Sequence, residues 1–161
     1  MSIKASNCSN VAEFEVNPAD WNCPVSENNG VRTLPLRSDE DVVRLRQAVR
    51  EKMIALGFSL IDQTKIVTAA SELARNTLRY GGGGEGHVEQ VQKGMRQGLS
   101  LAFSDQGPGI PDVELALRDG YTSGGGMGLG LSGAKRLSDE FEIITAVGAG
   151  TTVRITKWKP F

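Results

Sequence analysis

HVEQVQKGMRQGLSLAFSD, residues 87 to 105, decides the fold. It reads as two strands joined by a turn near Gly94 to Gly98, and the apolar run Leu99, Leu101, Phe103 marks the second as a strand of the sheet interior. Two consecutive strands with no helix between them break any regular βαβ alternation. Downstream, FEIITAV (141–147) and TTVRITKW (151–158), separated by Gly148-Ala149-Gly150, have the form of a terminal hairpin. Upstream, VRTLPLR (31–37) alternates like a strand, with Pro35 placing it at an edge or forcing a bulge. Ser38-Asp39-Glu40-Asp41 supplies an N-cap and an acidic first turn to an amphipathic helix, VVRLRQAVREKMIAL, that stops at Gly57. Ser59 to Tyr80 carries a second helical pattern, ended by Gly81 to Gly84, because four glycines hold no helix. Residues 106–128 are glycine-rich around one short helical piece (112–118) and run into a helix of roughly residues 129 to 139. The order β, α, α, β, β, loop, α, β, β predicts an α+β two-layer sandwich: a mixed, mostly antiparallel sheet with helices on one face.

Composition narrows the function classes. Eighteen Lys and Arg against nineteen Asp and Glu leave a net charge of −1, so no net field draws the chain to nucleic acid or to an anionic membrane. No apolar run approaches a membrane span, and MSIKASNCSN lacks the apolar stretch of a signal peptide. Cys8 and Cys23 form no CxxC pair, so neither zinc nor redox chemistry is indicated, and a cytoplasmic protein is expected. Residues 1–30 hold one base and four acids with no sustained period, which predicts a loose extension ahead of a domain over 31–161. Glycine is the outlier: 16 of the 20 lie between Gly81 and Gly133, a window that therefore needs bare backbone.

Three boxes in that region carry chemistry. On the second helix, at about 100° per residue, Asn76 falls about 40° from Glu72, so a carboxylate and a carboxamide share one polar stripe with Lys65, Thr68 and Arg79. A carboxamide oxygen is a hard ligand that Mg²⁺ accepts; taken alone, the same residues form an ordinary solvated helix face. Asp105-Gln106-Gly107-Pro108-Gly109 follows the apolar strand directly. An Asp there can turn its carboxylate into a pocket and accept from an exocyclic amine, or simply close an Asx-type turn. Gly124-Gly125-Gly126-Met127-Gly128-Leu129-Gly130 sits where a helix begins, an arrangement of unhindered amides that suits a polyphosphate. The Rossmann fingerprint belongs instead to the first βα turn of a βαβ unit, and no Gly-Lys-Ser/Thr completes a Walker A loop.

Individually weak, these signals stand in a specific order. ExxxN at 72–76, DxGxG at 105–109, GxGxG at 126–130 and Gly150-Thr151 resemble the N, G1, G2 and G3 boxes of the GHKL ATPase/kinase superfamily. Within it, SELARNTLRYGGGG, DQGPGIPD and GYTSGGGMGLGLSGAKRLSDEFEI resemble the bacterial anti-sigma-factor serine kinases of the RsbT switch-kinase type, over about residues 32 to 158. The resemblance implies the Bergerat/GHKL sandwich, ATP and Mg²⁺ as cofactors, Glu72 as general base and Asn76 as metal ligand. It further implies Asp105 as the adenine-binding acid supported by Thr151, Gly107 and Gly109 as the nucleotide wall, and Gly126, Gly128 and Gly130 as the phosphate loop. Relatives carry an arginine just before the third glycine box where this chain has Gly124 and Gly125, so the phosphate-facing cation is expected from Lys135, Arg136 or Arg118.

The implied activity is phosphorylation of a serine on a small STAS-domain antagonist protein, with a serine phosphatase or a sigma factor as further partner. The alternative is a nucleotide-dependent binding module, an anti-sigma factor or phosphatase activator with little turnover. A histidine kinase needs a dimerising helix with a phosphoacceptor His; the only His, His87, lies in a predicted strand or loop and reads as a surface residue. Trp21, Trp158 and the basic residues Arg44, Arg46, Arg50 and Lys52 of the first helix read as packing or solvated surface.

Overall fold

The structure is a computed structural model, and it describes residues 5–6, 30–118 and 130–160. Strands β1 (Ala5–Ser6), β2 (Val31–Leu36), β3 (Gly84–Lys93), β4 (Arg96–Asp105), β5 (Glu140–Ala146) and β6 (Gly150–Trp158) form one sheet in the order β1-β5-β6-β4-β3-β2. From β5 to β2 every neighbour is antiparallel, and β1 pairs in parallel with Ile143 and Ile144 of β5. Helices α1 (Asp39–Ala55), α2 (Leu60–Arg79), α3 (Val113–Ala116) and α4 (Gly130–Leu137) complete the second layer. The sheet is mixed and mostly antiparallel, as its sequence order requires. Trp21, Cys8 and Cys23 lie outside the described residues.

Local chemistry explains the element ends. β2 is the last strand of the sheet on its side, which tolerates the missing N–H of Pro35. Ser38 caps α1 by accepting from the Asp41 amide at 3.4 Å, and Ser59 caps α2 by accepting from the Asp62 amide at 3.2 Å. Asp41 departs from a plain acidic first turn: it is buried, accepts from the Arg37 amide at 2.9 Å and pairs with Arg44. The Arg37 amide, more than the neighbouring guanidinium groups, holds its carboxyl below the usual range.

The core lies between the helices and one sheet face. Leu36, Leu45, Val49, Met53, Ile66, Leu73, Leu99, Leu101, Phe141, Ile143 and Ile155 are fully enclosed there. Lys157 of β6, only 14% exposed, pins the layers by pairing with Asp139 at 3.0 Å and Asp62 of α2 at 3.6 Å. His87 is no surface residue: its side chain is 14% exposed on the sheet face away from α1, with Nδ1 3.0 Å from the Thr33 hydroxyl. Burial holds its imidazole below the ordinary histidine range.

The structure also differs from the sequence expectation at the start of β3. That strand begins at Gly84, inside the glycine run, and pairs with Asp105 from its first residue. Glycine there is a packing requirement. A Cβ on Gly84 would collide with the Ser104 carbonyl and lie 2.9 Å from the Thr77 methyl of α2, and one on Gly86 would lie 3.0 Å from Leu45. At the other end of the hairpin the turn is only Gly94-Met95, with Lys93 paired to Arg96 and Gly94 at φ 61 in open space. Gly84→Ala should therefore cost about 1–3 kcal/mol. Gly94→Asn, which suits a left-handed turn, should stay within about 0.5 kcal/mol of the parent. Urea unfolding of the two variants checks both values.

Candidate active site

One cavity of about 410 Å³ opens between the C-terminal half of α2, the ends of β4 and β6, the 108–116 segment and the start of α4. Its wall includes Glu72, Arg75, Asn76, Arg79 and Tyr80 from α2 and its cap, Asp105, Gly109, Gly130 and Thr151. Residues predicted from separate stretches of sequence thus converge on one space. Gly107 stands just behind that wall, and Gly126 and Gly128 lie outside the described residues.

Asp105 is the most constrained group in the wall. It is the last residue of β4, paired with Gly84 on one side and Thr151 on the other. Its Oδ1 accepts from the Gly107 amide at 2.9 Å, and the Thr151 amide stands near enough to the same carboxylate to favour its charged form. Burial pushes the Asp105 carboxyl up, and the two amides pull it partway back. The surrounding glycines serve this packing. A Cβ on Gly81 would sit on the Asp105 side chain, and one on Gly107 would lie 2.7 Å from the Gly81 Cα and 2.9 Å from the Tyr80 carbonyl. Gly109 (φ 77) presses against the Ala146 carbonyl and Gly150 (φ 86) against the Asp105 carbonyl, so neither has room for a side chain.

Thr145, a residue that the sequence did not single out, locks this loop to the β5–β6 hairpin. Its hydroxyl accepts from the Ile110 amide at 2.9 Å, donates to the Gly150 carbonyl at 3.2 Å and stands 2.9 Å from the Thr151 hydroxyl. The Gly148 amide adds a bond to the Pro108 carbonyl at 2.8 Å. No sequence signal marks Thr145, because its role depends on the register that sets Thr145 opposite Thr151.

On the α2 wall, Arg75 Nη1 donates to Glu72 Oε1 at 2.8 Å, with the two side chains 42% and 22% exposed. The i, i+3 spacing of helical ion pairs would have found Arg75 from sequence. Lys135, Arg136 and Arg118, the expected sources of a cation, are not among the lining residues; Arg75 and Arg79 are. Lys135 stands one turn after Leu131, on the same side of α4 as that lining residue, without reaching the cavity wall itself. Among the described residues no cluster of three or more His, Cys, Asp or Glu exists, so a divalent ion here would rely on Asn76 and on ligands brought by the substrate. No helix among the described residues is long and apolar enough to cross a membrane.

A two-layer sandwich in which Glu72, Asn76, Asp105, Gly109, Gly130 and Thr151 meet in one cavity defines a class, and the sequence comparison agrees. The chain belongs to the histidine kinase-, DNA gyrase B- and HSP90-like ATPase family, whose model matches residues 61–160. Within that family it is 44% identical over 123 residues to the serine/threonine-protein kinase RsbT of Bacillus subtilis (strain 168), covering 76% of this chain and 92% of the relative. It is 29% identical over 117 residues to the anti-sigma F factor of Oceanobacillus iheyensis, covering 70% and 80% of the two chains. The fold matches the crystal structure of the RsbU and RsbW domains of a Mycobacterium tuberculosis protein with a TM-score of 0.56 at 20% identity. That match covers 82% of this chain and about a third (34%) of the solved one.

The raised Asp105 carboxyl gives a pH signature. An acid whose folded pKa lies above its unfolded value binds more protons in the folded state, so stability falls as pH rises through that window and levels off above it. Asp105→Asn removes the buried charge and keeps an oxygen for the Gly107 amide. The ligand-free variant should therefore melt at or above the parent at pH 7 and lose that advantage near pH 4, as thermal unfolding at both pH values will report.

Proposed function

We propose that the protein is an ATP- and Mg²⁺-dependent serine kinase that phosphorylates a small STAS-domain antagonist protein in a bacterial sigma-factor partner switch. The observation that carries this reading is the polarity of the cavity along α2. Asp105 packs against Gly81, directly after the helix cap Tyr80, and Glu72 lies eight residues before Tyr80, about 12 Å away along the axis. Asn76 falls between them. A half-buried carboxylate at one end, an amide in the middle and a carboxylate at the other suit a nucleobase, a polyphosphate with its cation and an acceptor hydroxyl, in that order.

In this reading Asp105, steadied by the Gly107 and Thr151 amides, accepts from the exocyclic amine of adenine. Gly109 and Ile110 flank the base, while Gly130, at the first residue of α4, stands where the phosphates run, with Gly126 and Gly128 assigned to the same loop. Asn76 holds Mg²⁺, whose charge neutralises that developing on the phosphates when it is bound. Glu72 accepts the proton of the partner's serine hydroxyl as its oxygen forms a bond to the γ-phosphorus and the bond to the β-phosphate oxygen breaks, leaving ADP. The chain contributes positioning and electrostatics, and no covalent intermediate is needed. The name of the Bacillus relative, a serine/threonine-protein kinase, supports turnover, and that of the Oceanobacillus relative, an anti-sigma factor, supports the regulatory setting. Activation of a serine phosphatase partner, a cytoplasmic location and a division into a loose extension over 1–30 and a domain over 31–161 belong to the same proposal.

Two substitutions test the roles. Asn76→Ala should remove most of the gain in ATP affinity that Mg²⁺ confers while leaving metal-free binding unchanged, as calorimetric titration with and without the ion will show; equal Mg-ATP affinity would discard Asn76 as a ligand. Glu72→Gln keeps shape and helix propensity, so partner binding should persist while phosphate transfer falls by at least about a hundredfold, the scale of a general base. Radiolabel transfer from ATP to a co-purified STAS-domain protein, alongside a pull-down, measures both. Equal transfer removes Glu72 from the mechanism, and absence of transfer by either protein with binding intact makes the chain a binding module.

A further inference from the structure

Arg75 has no part in the mechanism as far as it has been derived, yet it stands at the reacting end of the cavity. It precedes Tyr80 by five residues, about 7 Å along α2, so it lies between Asn76 and Glu72 in depth and well away from the Asp105 end. Its Nη1 is bonded to Glu72 Oε1 at 2.8 Å. That bond occupies the Glu72 Oε1 that an acceptor hydroxyl would otherwise approach. The base is thus restrained by its own neighbour, and productive chemistry requires the guanidinium to find another anion.

We infer that Arg75 senses the terminal phosphate, exchanging Glu72 for the γ-phosphate when ATP is bound and returning to Glu72 when only ADP remains. The inference rests on the nucleotide reading of the cavity. The guanidinium carries five donors in a planar fork, of which the Glu72 bond uses one. A terminal phosphate offers three oxygens in a geometry that the fork meets at two points, so it outcompetes a single carboxylate oxygen. The Arg75 side chain is 42% exposed, enough to swing on its own stem without moving α2. Once the guanidinium leaves, Glu72 is free to take the serine proton. With ADP, which lacks the γ-group, the pair re-forms and the base is restrained again. Coupling of base activation to the presence of the transferable group follows from one i, i+3 spacing.

Calorimetric Kd values for Mg-ATP and Mg-ADP, measured on the parent, Arg75→Gln, Arg75→Lys, Glu72→Gln and the Arg75→Gln/Glu72→Gln double variant, test the exchange. Arg75→Gln should lose about tenfold or more for ATP, the scale of a charge-assisted hydrogen bond, and stay within about twofold for ADP, which also certifies its fold. Arg75→Lys, with the charge but without the fork, should fall between. Glu72→Gln should bind ATP a few-fold more tightly than the parent with ADP unchanged, and that gain should vanish in the double variant. Equal losses for ATP and ADP, or none, would overturn the inference. A gain from Glu72→Gln that persists without Arg75 would do the same, since simple repulsion between Glu72 and phosphate would then explain it. A parent that binds neither nucleotide would overturn the nucleotide reading itself, and this inference with it.

Discussion

The close approach of three backbone segments to Asp105 is the constraint on which the site depends. Asp105 ends β4 with Gly81 against its side chain, Gly150 against its carbonyl and the Gly107 amide on its Oδ1. None of these glycines has room for a Cβ, so the region's glycine content follows from how tightly a charged group is packed. Burying the carboxylate there raises its pKa, a cost to the empty protein that two amides offset only in part. Retaining a destabilising charge at the wall of a cavity is the pattern of a site kept for binding.

From that anchor, α2 works as a ruler. Its apolar side, with Ile66, Val67, Ala70, Leu73 and Ala74 buried against the sheet, fixes the helix in depth and rotation. Its polar side is thereby forced into the cavity at intervals of one turn, Glu72, Asn76 and Tyr80, with Arg75 and Arg79 one position before the last two. The Thr145 hydroxyl sets the opposite wall, because it joins the Ile110 amide, the Gly150 carbonyl and the Thr151 hydroxyl in one cluster. Positioning on both sides comes from regular elements, and Glu72, Asn76, Asp105 and Thr151 each sit on a helix or at a strand end.

Much of this was legible before any coordinates. Periodicity placed Glu72 and Asn76 on one stripe, Pro35 asked for an edge strand or a bulge and β2 is an edge strand, and two strand pairs without intervening helices gave the layer architecture. What escaped depends on contacts across the chain. Gly84 looked like a helix breaker and is a strand residue, since only the approach of Ser104 and Thr77 reveals why it is glycine. Thr145 is invisible without the β5–β6 register. His87 looked like surface because a lone polar residue beside glycines carries no sign of the Thr33 hydroxyl that meets it across β2 and β3. Lys135 was a plausible cation from its charge, but the basic residues that line the cavity are Arg75 and Arg79 of α2, whose place there depends on how α2 packs.

The central claim is that a nucleotide lies along α2 with its base at Asp105 and its phosphates toward Glu72. Backbone amide chemical shifts, followed by NMR during separate titrations with adenosine and with Mg-ATP, test it most directly. If the nucleotide lies that way, adenosine should shift the amides of Gly107, Ile110 and Thr151 and leave those of Glu72, Arg75 and Asn76 in place, while Mg-ATP shifts both sets. Adenosine shifts centred on Glu72 and Asn76, or Mg-ATP shifts that spare Gly107 and Thr151, would contradict it.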